Sequence, residues 1–388
     1  MSNILMIYTM MEPPVLLHER PLRPIAEKMG CSLRLKQTDT ITYEDLLWSD
    51  VVFAIRTQSV LEADIMEVAS KMGRFCIEAI DDDFFAMDHY NLRRPLQASS
   101  LRKALKTADF IFSPNVTLAK KMSSIGGGKP YHVGDTVVTE KEFQPRKAMD
   151  DDTLHIVYYV NDSTTGVFDA IIKPIIPDLV EKYRGKLKFT FMSVHPDLGE
   201  YESQMDVQFR PRTSLDEFKA FLRDNRFSMG IAPLMDGEFS RGKYINKFVE
   251  FGSAGIPCIY SNVAPYAGFI QDGETGILCE NTKEAWLAAI DRLYDMQLQE
   301  KIAEGAQKKL RESFSEEAQG VHTIKNVPAL FYHKAPANPQ KYSLRSLHLK
   351  ARILNSIDPF LKAWGRFRIE GLGSVIKWTW EHYIIKKN

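Results

Sequence analysis

Short apolar runs that recur between helix-patterned stretches constrain this chain more than any other feature. Ile4–Tyr8, Ser32–Lys36, Val51–Ile55, Phe75–Ile80 and Asp109–Ser113 read as strands of the first half. Leu16–Met29, Tyr43–Leu47, Leu61–Met72, Leu101–Thr107 and Thr117–Ser124 read as the helices among them. The second half repeats the alternation. Leu154–Val160, Lys188–Met192, Ser228–Ala232, Cys258–Tyr260 and Ile277–Cys279 are strand-like, and Ser214–Arg223, Lys283–Tyr294 and Gln297–Phe314 are helix-like. Val167–Tyr183 also has helical spacing, with Pro174 and Pro177 inside it or kinking it. Continuous apolar strands joined by helical crossovers predict parallel sheets covered by helices on both faces.

At 388 residues the chain exceeds ordinary single-domain size, so two α/β domains are expected. The polar stretch Glu140–Asp152 interrupts the alternation and marks the boundary. The expected division is a Rossmann-like first domain over 1–145, a Rossmann-like second domain over 152–330 and a tail over 331–388. Two such domains joined by one linker leave a cleft between them as the place for a ligand.

The net charge is zero, but it is unevenly spread. From Phe331 onward eleven Lys and Arg face three Asp and Glu, a net +8, so residues 1–330 carry −8. The tail also holds three of the five tryptophans. Its densest pieces, Ala363–Arg368 and Val375–Trp380, interleave aromatic and basic residues. That pattern suits an anionic membrane surface or a helix packed back on the first domain. The acidic remainder argues against a nucleic-acid partner. Cys31, Cys76, Cys258 and Cys279 form no CxxC pair and read as buried thiols. Met1-Ser2-Asn3 leads straight into an apolar run without a basic region or cleavage site, and no run is long and apolar enough to span a bilayer. A cytoplasmic protein is expected.

The chemistry-bearing stretch is Pro233–Ser261, PLMDGEFSRGKYINKFVEFGSAGIPCIYS. A strand runs into a polar loop, a helix and another strand, the ligand-facing order of a parallel sheet. Lys243, Lys247 and Glu250 are spaced four and three apart, which on one helix places them on one face. Two ammonium groups would neutralise phosphates while a carboxylate accepts two hydroxyls of a ribose. The same spacing also describes a solvated helix face with paired charges. Ser163-Thr164-Thr165-Gly166, ahead of a helix, would offer N–H groups to a phosphate or serve as a plain cap. Asp81-Asp82-Asp83 lies at a strand's carboxyl end and contains a formal DxD, readable as a divalent-metal site, a helix cap or part of an acceptor site, with His89 nearby. Gly126–Pro130 lacks the spacing of a P-loop, and neither GxGxxG, GxSxG nor HExxH occurs.

Pro233, Leu234, Asp236, Phe239, Lys243, Lys247, Glu250, Gly255, Pro257 and Ser261 resemble the donor-binding segment of GT-B glycosyltransferases of family 4 (glycosyl transferases group 1). Ile270–Leu278, which contains Asp272-Gly273-Glu274-Thr275-Gly276, and Trp286 are similar to the same family, as are Ile156–Tyr159 and the helix near Asp169. The likeness covers the second half well and the first by general pattern. It implies a GT-B architecture: two Rossmann-like, doubly wound parallel-sheet domains facing a central cleft, with a helical basic C-terminal tail.

The implied activity is metal-independent hexosyl transfer, with retention of configuration, from a UDP- or GDP-sugar to a glycan or lipid-linked acceptor in polysaccharide biosynthesis. By the resemblance Glu250 binds the ribose, as the second Glu of the family's Glu–seven residues–Glu motif. The first would fall at 242, where this chain has Gly242. Glu238 would substitute from the same loop. Lys247, Lys243 and Arg241 would hold the diphosphate, with Ser240 and Gly166 completing the nucleotide-sugar contacts. His89 would touch the reacting sugar. With Gly242 in place of the motif's first Glu, a second implied role is that of a non-catalytic sugar-nucleotide-binding subunit working with a partner enzyme. A metal-dependent transferase using Asp81 and Asp83 is a third.

Overall fold

The computed structural model describes residues 1–160 and 165–379. It divides into two compact units, residues 1–136 together with the chain from Gln319 onward, and residues 137–318. Each is built on a six-stranded sheet whose paired strands are all parallel.

In the first unit the strands are β1 (Asn3–Tyr8), β2 (Ser32–Gln37), β3 (Val51–Ile55), β4 (Phe75–Ala79), β5 (Phe110–Ser113) and β6 (Tyr131–Val133), in the order β2-β1-β3-β4-β5-β6. Ile4 pairs with Leu33 on one side and Val51 on the other. Every residue of β3 is buried, because helices cover both faces and feed two separate apolar clusters. The strand order reverses between β1 and β3.

The second unit holds β7 (Leu154–Val160), β8 (Leu187–Ser193), β9 (Asp206–Pro211), β10 (Met229–Ala232), β11 (Cys258–Ser261) and β12 (Ile277–Cys279). Their order is β9-β8-β7-β10-β11-β12, the 3-2-1-4-5-6 arrangement of a Rossmann sheet, with its reversal between β7 and β10. Two strands go beyond the sequence expectation, β6 and β9. Both are sheet edges with largely exposed or half-exposed residues, so neither carries a continuous apolar run. The helix expected over Val167–Tyr183 is helical throughout but changes gauge. Thr165–Val167 is α-helical, Phe168–Ile172 is a π turn, Lys173–Ile175 is 3₁₀, and Ile176–Lys182 is α again. Pro174 and Pro177 lack the N–H that a uniform α-helix needs, and the wide and tight turns absorb the loss.

The unit boundaries differ from those read from polarity. Residues 137–152 belong to the second unit: the Val138 N–H donates to Phe314 O at 2.9 Å, and the Gln144 N–H to Ser253 O at 2.9 Å. Gly255, at φ +70°, lets that segment pass, since a Cβ there would sit 2.7 Å from Gln144 O. The chain then rejoins the first unit within the helix Glu316–Asn326, ahead of residue 331. Val327, Leu330 and Phe331 are at most 1% exposed and pack with the β1 and β3 side chains. Burial of each such side chain is worth about 1.5–3 kcal/mol. Asp50 accepts the Lys334 ammonium at 2.9 Å and the Ala335 N–H at 3.0 Å.

Beyond this strap, the tail helix Leu344–Glu370 lies against the helices Val60–Lys71, Tyr90–Arg93 and Pro95–Thr107. Lys350 reaches Asp64 at 2.8 Å, and Arg93 reaches Glu370 at 2.7 Å. At the closest approach stands Gly365, where a Cβ would lie 1.8 Å from Leu92 O. The helix Leu372–Thr379 follows. Of the two readings of the tail, packing on the first unit is what the structure displays.

Candidate functional site

The loop leaving β10 is fixed by a closed ring of side-chain bonds. Leu234 N–H donates to Ser261 Oγ at 2.8 Å, the Ser261 hydroxyl donates to Asn281 Oδ1 at 2.6 Å, and Asn281 Nδ2 donates to Leu234 O at 2.9 Å. The chain is therefore tied at the carboxyl end of β10 to the end of β11 and to the turn after β12. Met235 and Asp236 emerge exposed from this anchor.

A four-residue helix, Glu238–Arg241, follows, and Gly242 closes it. Gly242 has φ −84° and ψ −6°, a right-handed conformation open to any residue, so the backbone makes no demand for glycine there. Arg241 grips Asp236 through two parallel bonds, Nε–Oδ1 at 3.0 Å and Nη2–Oδ2 at 2.8 Å, with both side chains about half exposed. The Arg241 guanidinium holds the Asp236 carboxyl below the usual carboxylate range. Glu238 is exposed, Ser240 is half-buried, and Lys243 lies 5.0 Å from the Phe239 ring centroid.

The next helix begins only at Asn246. This corrects the reading of 243, 247 and 250 as one helical face. Tyr244 and Ile245 are buried in the connector, so Lys243 stands outside the helix that carries the other two. Lys247 and Glu250 do share a face, with Nζ 2.5 Å from Oε2. The ammonium also sits 3.9 Å from the Tyr159 ring centroid and 4.9 Å from that of Phe218. Lys247 is thus enclosed by a carboxylate and two aromatic faces at the end of β7, with 21% of its side chain exposed. This cage lies beside the strand reversal of the second sheet, where ligands of open α/β sheets bind.

Gly166 stands exposed in the first helical turn after β7, and a Cβ there would meet nothing within 4 Å. Its neighbours Ser163 and Thr164 lie outside the described residues. His89 belongs to the first unit. It heads the short helix Tyr90–Arg93 in the left-handed region, φ +51°, with Nε2 3.0 Å from Asp88 Oδ1. The acidic run is held by basic side chains. Arg56 binds Asp81 through Nε and Nη2 and also reaches Asp82, while Lys121 binds Asp83 at 2.6 Å. Asp83 additionally accepts the Ala86 N–H at 3.1 Å, which makes it a cap. Sequence reasoning passed over Tyr159, Phe218 and Asn281. Of these only Tyr159, at a strand's carboxyl end, carried a positional signal.

The fold is that of GT-B proteins. Among solved structures, HepE from Anabaena, in complex with UDP and glucose, superposes with a TM-score of 0.58 at 12% identity, covering 85% of this chain and 100% of that one. The lipopolysaccharide outer core galactosyltransferase WaaB gives 0.55 at 12% identity, with 84% and 98% covered. A Listeria monocytogenes protein described as a UDP-N-acetylglucosamine 2-epimerase gives 0.52 at 13% identity, with 88% and 99% covered. No family model matches the chain, and no curated protein matches it. At these identities the likeness is one of fold. Both six-stranded sheets match the Rossmann-like domains of GT-B structures.

Proposed function

We propose that the protein is a glycosyltransferase that moves a hexosyl group from a UDP- or GDP-sugar to a glycan or lipid-linked acceptor, with retention of configuration and without a metal. One observation carries this reading: the Lys247–Glu250 pair at the end of β7, beside the strand reversal of a Rossmann sheet. Glu250 accepts the two ribose hydroxyls. Lys247 exchanges part of its carboxylate contact for the diphosphate, joined by Lys243 and Arg241 on the neighbouring loop. Gly166 and Ser240 flank the same ligand. As the bond from the anomeric carbon to the phosphate oxygen breaks, its electron pair moves onto the diphosphate. Fixed cations stabilise that charge by several kcal/mol. The acceptor oxygen bonds to the anomeric carbon and passes its proton to the departing diphosphate oxygen. Glu238 and, from the first unit, His89 are the groups assigned to the reacting sugar. In thermal melts UDP or GDP raises the midpoint, and Glu250→Ala abolishes the shift. Unchanged melting of the wild type with every nucleotide would refute donor binding.

A specific observation also supports the non-catalytic subunit. Gly242 replaces the family's first Glu at a backbone position that glycine is not needed to fill. Sugar-nucleotide turnover decides between the two, since a binding subunit shifts in melting but neither transfers nor hydrolyses. Full turnover in EDTA removes the metal-dependent alternative.

The reading extends to a site of action at the inner face of the cell membrane. No helix among the described residues is long and apolar enough to cross a bilayer. The tail helix nevertheless exposes Leu349, Ile353, Ile357, Phe360, Trp364 and Phe367. Their spacing of three and four residues aligns them in one stripe, and exposed Arg345, Lys350, Arg352 and Arg368 lie near it. Such a face suits an anionic leaflet.

A further inference from the structure

Tyr159 and Phe218 reach Lys247 from two elements that are each fixed without it. Side chains alternate between faces along β7. Tyr158 is 3% exposed and belongs to the core with Phe168 and Phe191, so Tyr159 stands on the opposite face of the sheet. The helix Leu215–Asp224 presents Phe218 to that face. Its start is closed by a capping box: Ser214 N–H donates to Glu217 Oε2 at 2.9 Å, and Glu217 N–H to Ser214 Oγ at 3.3 Å. The Tyr159 and Phe218 rings meet nearly edge to face, with centroids 5.2 Å apart.

Lys247 lies in the first turn of the helix Asn246–Ser253, whose N-cap, Ile245, offers no side-chain bond. The helix dipole puts partial positive charge at this end and disfavours an ammonium there. A lysine so placed needs a restraint, and among the described residues Glu250 is its one ion-pair partner. The rings supply the rest. Each attracts the cation through the negative face of its π-system and brings no charge of its own. A second carboxylate in their place would also hold the ammonium, but it would repel an anionic ligand. We propose that Tyr159 and Phe218 are positioning residues, whose π faces hold the Lys247 ammonium at the helix start without cancelling its charge, so that lysine and helix end act together on a diphosphate. That this diphosphate belongs to a nucleotide rests on the glycosyltransferase reading.

The test replaces Tyr159 in the full chain by Phe, and then by the same Phe carrying one, two and three ring fluorines. These nearly preserve the ring's shape while draining its negative face. Affinities for UDP, GDP and inorganic pyrophosphate are measured by calorimetry. Relative to Tyr159→Phe, each added fluorine weakens binding, reaching about 2–30-fold at three. A second readout needs no fluorine. Ring currents place the Lys247 Hε resonances of the unliganded protein upfield, where Lys247→Met removes them and Tyr159→Leu or Phe218→Leu moves them back. Affinity that is indifferent to fluorination, or rises with it, overturns the proposal. So do Lys247 resonances without an upfield shift, and so does a wild type that binds none of the three ligands. Pyrophosphate binding with the same fluorine dependence, but no binding of UDP or GDP, sinks the glycosyltransferase reading and leaves the positioning role standing.

Discussion

Two carboxyl groups in the first unit are kept from water entirely. Glu62 accepts the Thr9 hydroxyl at 2.9 Å, and burial pushes its pKa up to about 8. Glu78 accepts the Thr57 N–H at 2.8 Å and hydroxyl at 2.7 Å, and burial likewise raises it well above the ordinary range. The unfolded chain loses the Glu62 proton near 4.5, whereas the folded one keeps it to about 8. The folded state therefore binds more protons between those values, and stability falls as pH rises through that window. Glu62→Gln removes the Glu62 share of the slope while retaining the shape. Chemical denaturation is expected to show little change at pH 5 and a gain of about 1–3 kcal/mol at pH 8. A loss at pH 8 would contradict a neutral Glu62. At Lys247, replacement by Met keeps the stem between Tyr159 and Phe218 but removes the cation. For the proposed sugar transfer, rates are expected to fall about 10²–10³-fold, with melting little altered.

Lys247 and Glu250 were legible because their partnership is local, three residues apart on one helix. Tyr159 and Phe218 were not, since their rings reach the lysine from a distant strand and helix, and nothing in their own neighbourhood announces it. The grouping of Lys243 with them failed for a local reason: Gly242 ends one helix and buried Tyr244 and Ile245 delay the next. Among whole elements, strands buried on both faces wrote themselves into the sequence as apolar runs, and edge strands β6 and β9 did not. The tail helix is read by its glycine. Gly365→Val would drive a side chain into Leu92 O, so hydrogen exchange over 344–370 should accelerate while the β-strands stay protected. Vesicles containing anionic lipid should retain the full chain more than one ending at residue 335. Equal recovery of the two would limit the tail to packing on the first unit.

At the scale of the molecule, the alternation of strands and helices made two parallel-sheet domains legible, but polarity misplaced where the chain changes units. A chain cut after Ala318 lacks Val327, Leu330 and Phe331, whose removal uncovers one face of β1 and β3. Its first unit is expected to lose cooperative unfolding. A chain ending at residue 335 should retain it, a difference visible in near-ultraviolet circular dichroism.

The same discontinuity sets an order of events during synthesis. The first unit is begun on the ribosome ahead of the second, yet the segment that closes its core, 327–331, follows the whole of the second. Residues 137–318 are contiguous and complete on emergence. The later-made unit is thus free to fold first, while the amino-terminal sheet waits with one apolar face open and within reach of chaperones.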